Sequence, residues 1–218
     1  MTGAAPHQKG ALVQVKSLHL PPAYVQLSRA LERGGTSWFV LKQKVDAYGN
    51  YFGGRLALWT AAEAARSGTD WLTELYGLDD WSPDEIAELD KDLADSPGAL
   101  PYFRDFSQIV CFGQDSGNDE PFCFDFRENL QEPSSICFDT GYANWRQVAP
   151  NFEQFIDLYM PSRHVTSDAE AQEMYGGSPE WPRMQELGER RGFSREALAL
   201  TEEALATIHT GREAKTRL

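Results

Sequence analysis

Cysteine is scarce in this chain of 218 residues: there are three, Cys111, Cys123 and Cys137, and no CxxC pair. An odd count lying in apolar strand-like runs excludes a disulfide framework and zinc-site spacing. Buried thiols in a reducing compartment are the expected state. Cys111 and Cys123 could face each other across a hairpin, which leaves a disulfide as the alternative. The four histidines, His7, His19, His164 and His209, are scattered and match no metal-ligand spacing. Long apolar runs are missing too. No stretch approaches the roughly 18 residues of a membrane span. The opening MTGAAPHQKGALVQVKS has no charged-then-apolar signal pattern. A cytoplasmic protein is therefore expected. Catalytic and nucleotide motifs are absent: there is no GxSxG elbow, no Walker loop and no GxGxxG. The glycine pairs at 34–35, 53–54 and 176–177 lack the strand–glycine–helix context. Neither a catalytic residue, a cofactor nor a metal is expected. Positive charge is the last deficit, with 20 Lys and Arg against 33 Asp and Glu, a net charge of −13. That disfavours nucleic acid, whose phosphates need clustered Lys and Arg. It favours a basic partner, which a negative surface steers, although the same charge also serves solubility.

Apolar material is plentiful. Hydrophobic residues make up 41% of the chain and aromatics 12%, enough for a sizeable core. After a loose tail, ALVQV at 11–15 reads as a short strand. Pro21 and Pro22 open a helix whose Ala23, Leu27, Ala30 and Leu31 share one face. Gly34 and Gly35 close it. Residues 36–54 and 70–79 mix aromatics with glycine or polar residues and resist assignment. RLALWT is a strand leading into a helix with a Thr60–Glu63 capping box. Ser82 caps a second helix, with Pro83 at its first position and Ile86, Leu89 and Leu93 in one stripe.

QIVCF, PFCFDF and SSICFD are successive strands, with connections short enough for antiparallel neighbours. Phe122, Phe124 and Phe126 share one face; Cys123, Asp125 and Arg127 share the other. GQDSGNDE between the first two strands is a turn, because flanking strands do not suit a calcium loop. Asp125 and Arg127 are placed for a structural ion pair. NFEQFIDLY is a helix capped by Asn151, with Phe152, Phe155, Ile156 and Tyr159 inward. Candidate helices then occupy SDAEAQEMY, SPEWPRMQELGERR and SREALALTEEALATIH. The last has Ala197, Leu198, Leu200, Leu205 and Ile208 as its apolar face. As partner-contact candidates the acidic turn supplies Asp115, Asp119 and Glu120. The next connection adds Asp139, Tyr142 and Trp145, because aromatics beside acids suit an interface.

These motifs together resemble the SMI1/KNR4 family, or SUKH superfamily. Leu20-Pro21-Pro22-Ala23-Tyr24 and Gly34-Gly35 are similar to its "LP-x-x-Y/L…GG" opening. Phe106 to Gly113, the polar turn at Gly117 to Asp119, Phe122 to Arg127 and Ser135 to Phe138 resemble its central strands. Trp145 to Ile156 resembles its "W-x-x-V-A-x-(S/D)-F-x-x-F-L" closing segment. The likeness covers residues 18–160. An acidic helix that precedes the opening in many members has no counterpart here.

The resemblance implies an α+β fold, a mostly antiparallel twisted sheet with helices packed against it; the C-terminal helical segment lies outside the family core and is read from the residues alone. The domain plan is a tail at 1–17, the α+β domain at 18–163 and a helical extension at 164–218. A core that folds without the extension is expected. The resemblance also implies a non-enzymatic protein of the immunity type, whose partner is a cognate toxin or other basic protein. A regulatory adaptor using the C-terminal helices is the alternative, and a small-ligand or enzymatic domain the least favoured. The sequence does not specify oligomeric state.

Overall fold

The computed structural model describes residues 14–15, 17–42, 55–67, 71–72, 76, 81–93, 96–115, 120–139, 143–162 and 195–216. Strands β1 (Gln14–Val15) and β2 (Leu18–His19) form a small hairpin. Helix α1 (Pro22–Glu32) follows, then β3 (Trp38–Leu41), β4 (Arg55–Leu58), α2 (Ala61–Ser67) and α3 (Pro83–Leu93). The centre of the molecule is β5 (Ile109–Asp115), β6 (Pro121–Asp125), β7 (Ser134–Asp139) and β8 (Asn144–Ala149). Helix α4 (Phe152–Asp157), β9 (Tyr159–Pro161) and α5 (Arg195–Thr216) complete the order. Seven of the described strands form one antiparallel sheet in the order β8-β7-β6-β5-β4-β3-β9. The molecule is α+β, as expected.

Capping explains where the helices begin. The Thr60 backbone N–H donates to Glu63 Oε2 at 2.7 Å, and the Glu63 N–H donates back to Thr60 Oγ1 at 3.2 Å. Ser82 and Glu85 repeat this exchange at the start of α3. The bond to Ser82 holds the Glu85 carboxyl below the usual carboxylate range. The Asn151 side chain accepts from the Gln154 N–H and starts α4. At the end of α1, Gly34 adopts φ 97°, a left-handed backbone that glycine takes without strain.

Both faces of the sheet are buried. On the first, α1, α2, α4 and α5 cover Phe39, Leu56, Val110, Phe112, Phe122 and Phe124. Tyr24 of α1 lies at the middle of this layer. Its ring meets Phe124 at 5.1 Å and Phe152 at 5.3 Å, and its hydroxyl donates to the Trp59 carbonyl at 2.9 Å. Burial, then the nearby Glu63 and Glu32 charges, pushes the Tyr24 phenol far above its ordinary value. The second face holds a smaller cluster of Leu72, Phe106, Ile109, Cys111, Cys123, Ile136 and Trp145. The half-buried Trp59, Trp71, Tyr76, Phe103 and Phe138 pack around it.

The expected alternation of PFCFDF is present: Phe122, Phe124 and Phe126 join the first face, Cys123 the second. Four expectations change. Strand β5 runs on to Asp115, because β4 pairs with it at Gly113, Gln114 and Asp115, so the turn is shorter than GQDSGNDE. Residues Asn144–Ala149 are a strand, and Tyr159 leaves its helix to pair with Leu41. The buried line of α5 is Ala197, Thr201, Ala204, Leu205 and Ile208, with Leu198 and Leu200 only half-buried. Helix α5 also packs into the core: Ala204, Leu205 and Ile208 belong to the main cluster. The Thr201 hydroxyl donates to the Thr36 carbonyl at 3.1 Å, and the Thr36 N–H donates to the Ala197 carbonyl at 3.2 Å. His209 Nδ1 lies 3.1 Å from Asp157 Oδ1, and Arg212 bonds the other oxygen. This helix therefore packs on the domain. The helices expected within 167–191 lie outside the described residues.

Candidate functional site

An antiparallel sheet puts alternate turns at the same end. Strand β5 ends and β6 begins at one end of the sheet, and there β7 ends and β8 begins. Phe122 pairs with Cys137, so the same register carried two residues outward sets Glu120 opposite Asp139. Leu56 pairs with Asp115, which places the start of β4 at this end as well. The ladder thus gathers Asp115, Glu120 and Asp139, 24 residues apart at the extremes of the sequence numbering, along one rim. Asp119 and Tyr142 belong to the two connections at this rim and lie outside the described residues.

The side chains at the rim differ in how much they offer a partner. Asp115 is 4% exposed and Glu120 9%, because β5 continues into what reads as turn in the sequence and draws both inward. The Asp115 N–H donates to the Glu120 carbonyl at 2.8 Å and closes the ladder between them. Asp139 is partly exposed and accepts from Arg146 Nη1 at 2.8 Å. Arg146 was not singled out from the sequence. The strand carrying it is buried on both faces and so shows no clean polar–apolar alternation. Trp145 is 1% exposed and lies among Tyr76, Phe103, Phe106 and Phe138. Its ring supports the rim from behind instead of offering itself as an exposed anchor.

The backbone at the start of β8 is held by hydrogen bonds. Ala143 adopts φ 51°, a left-handed conformation that costs a residue with a Cβ. The Tyr102 hydroxyl donates to its carbonyl at 2.7 Å. Leu100 N–H donates to the Trp145 carbonyl at 2.9 Å, and Gln147 N–H donates to Gly98 at 2.7 Å, covering the outer edge of β8. Asp125 and Arg127 do form the expected ion pair. Arg127 Nη2 is 2.6 Å from Asp125 Oδ2, and its guanidinium stands 3.6 Å over the Phe103 ring. This pair fastens the 101–106 segment to the second face. A different carboxylate surface belongs to α3, which exposes Asp84, Glu85 and Glu88 beside Trp81, itself 42% exposed.

The family model described as SMI1 / KNR4 family (SUKH-1) matches residues 16–158. The chain belongs to the SMI1/KNR4 family. No curated protein and no solved structure is matched by it.

The SMI1/KNR4 motifs now have physical reasons. Pro21 and Pro22 set the entry of α1 so that Tyr24 reaches the centre of the first face. A Cβ on Gly35 would meet the Ala30 carbonyl and Thr201 Oγ1, both at 2.8 Å, so glycine lets α5 approach there. The closing segment combines Trp145 on one face with Phe152 and Phe155 on the other. Among the described residues no helix is long and apolar enough to cross a membrane, and no cluster of His, Cys, Asp or Glu is arranged to hold a metal.

Proposed function

We propose that this SMI1/KNR4 protein is a non-enzymatic, cytoplasmic immunity protein that binds and occludes a cognate toxin domain. The observation that supports the reading is that strand pairing brings the acids Asp115, Glu120 and Asp139 to one end of the sheet, where two chain connections begin. Loops on a firm scaffold can vary in sequence without cost to the core, which suits recognition of one partner. The net charge of −13 supports a basic partner, such as the substrate face of a nuclease. Asp119 and Tyr142 are the proposed direct contacts, with Asp115, Glu120 and Asp139 supplying the field behind them and Trp145 the support.

The adaptor reading, in which C-terminal helices hold the partner, is weakened by α5, whose apolar line is already packed on α1 and the core. Co-expression with the protein encoded next door, followed by affinity capture and a growth test, tests the proposal. Rescue of growth together with a tight, salt-sensitive complex is expected. Rescue with a salt-insensitive complex would keep immunity and remove the acidic mechanism. Neither rescue nor complex would reject immunity in favour of the adaptor.

A further inference from the structure

Cys111 and Cys123 are direct cross-strand partners in the middle of β5 and β6. Their sulfurs are 2.8 Å apart, and both are free thiols. The Phe126 N–H donates to the Gln108 carbonyl at 3.0 Å, so that pair is hydrogen-bonded. Hydrogen-bonded and open pairs alternate along an antiparallel ladder, which makes Cys111 and Cys123 an open pair. Open pairs hold their Cα atoms about 4.5 Å apart, inside the range a disulfide spans. A register shift between Cys111 and Gly113 adds local twist beside the pair. The two sulfurs need to close from 2.8 Å to about 2.05 Å for a bond to form.

We propose that Cys111 and Cys123 are a modification site: a buried dithiol that a peroxide closes to a disulfide and a thiol reductant reopens. One sulfur attacks the peroxide O–O bond, becomes a sulfenic acid, and releases water. The second sulfur then attacks the first. The S–S bond forms, the S–OH bond breaks, and the departing hydroxide takes the second thiol proton as water. Two electrons pass from the sulfurs to the peroxide. Reduction by two external thiols reverses the change, leaving those thiols as a disulfide.

Both sulfurs are fully buried beneath Leu72, Phe106 and Trp145 of the second cluster. Burial, and then contact with Cys111, holds the Cys123 thiol well above its ordinary pKa. The reaction is therefore slow, and it selects a small oxidant that can enter through brief opening of that cover. Cys137 lies with the first-face cluster, away from the bond. The bridge would tie together the two strands that carry the acidic turn.

Full-length protein is treated with hydrogen peroxide, blocked with an alkylating agent and digested without reductant for mass spectrometry. The expected product is a single Cys111–Cys123 cross-link with Cys137 still reduced. The melting temperature is expected to rise by roughly 5 °C and to return after reduction. Bonding to Cys137, conversion to sulfinic or sulfonic acid without a cross-link, or thiols that stay reduced until the protein unfolds would each overturn the proposal. Cys123→Ser should abolish the cross-link and the thermal shift; a shift that persists in it would also overturn the proposal. The wild-type peptide map decides the matter on its own should that variant fail to fold.

Discussion

The two faces of the sheet are buried by different means. The first is closed by helices that insert large aromatic and aliphatic side chains: Tyr24 from α1, Phe152 and Phe155 from α4, Leu205 and Ile208 from α5. The second is closed by the helical residues Trp71, Leu72 and Tyr76 and by the irregular 100–106 segment, whose Leu100 and Phe103 stay half-buried. Ordered backbone without helical pairing must be held by specific bonds, and here they are visible: Tyr102 to Ala143, Leu100 to Trp145, Arg127 to Asp125. The first face buries the larger cluster. The second face sets how the rim beside it is supported.

Removing α5 should produce the largest effect. A chain ending before residue 195 uncovers Ala204, Leu205 and Ile208 and the face of α1 beneath them. Losing the burial of Leu205 and Ile208 alone costs about 4 kcal/mol. Thermal unfolding of this truncated chain should show a large drop in melting temperature or no cooperative transition. An unchanged melt would restore the extension to the status of an appendage.

Tyr24 comes next. Tyr24→Ala should cost about 3–5 kcal/mol in denaturant unfolding, because it empties the centre of the first face. Tyr24→Phe keeps the ring and leaves the Trp59 carbonyl without its donor, so about 1 kcal/mol is expected. Equal losses from the two would mean that the hydroxyl, not the ring, holds this face.

Arg127→Ala tests the second face with a smaller effect. It strips Asp125, 4% exposed, of a bidentate partner and Phe103 of the cation above it. Arg127 is itself partly exposed, so the loss is discounted to about 1–2 kcal/mol. Hydrogen exchange should rise in 101–106 and leave β5 protected. A global loss as large as that of Tyr24→Ala would erase the distinction between the faces.

The difference between the faces also decides what could be read in advance. Helix α1, the Thr60–Glu63 capping box and the Phe122-Phe124-Phe126 alternation were legible because local chemistry and a clear period act together there. Strand β8 was not, since Asn144, Trp145 and Arg146 are all buried and give no alternation. The inward position of Asp115 and Glu120 depends on pairing with β4, more than fifty residues earlier, which no local pattern carries. Thr201 was passed over for Leu198 and Leu200 because its place on α5 is decided by the Thr36 carbonyl and Gly35. At the rim, the residue types were legible and their exposure was not.

The decisive measurement is the affinity of two charge variants for the partner that co-expression identifies, at low and physiological salt. Asp119→Lys with Tyr142→Ala changes the rim; Asp84→Lys with Glu88→Lys changes α3 by a larger charge. Binding through the rim predicts a loss of at least about tenfold for the first and within about twofold for the second. Loss on α3 with the rim variant binding normally would contradict the account and place the interface on the helix.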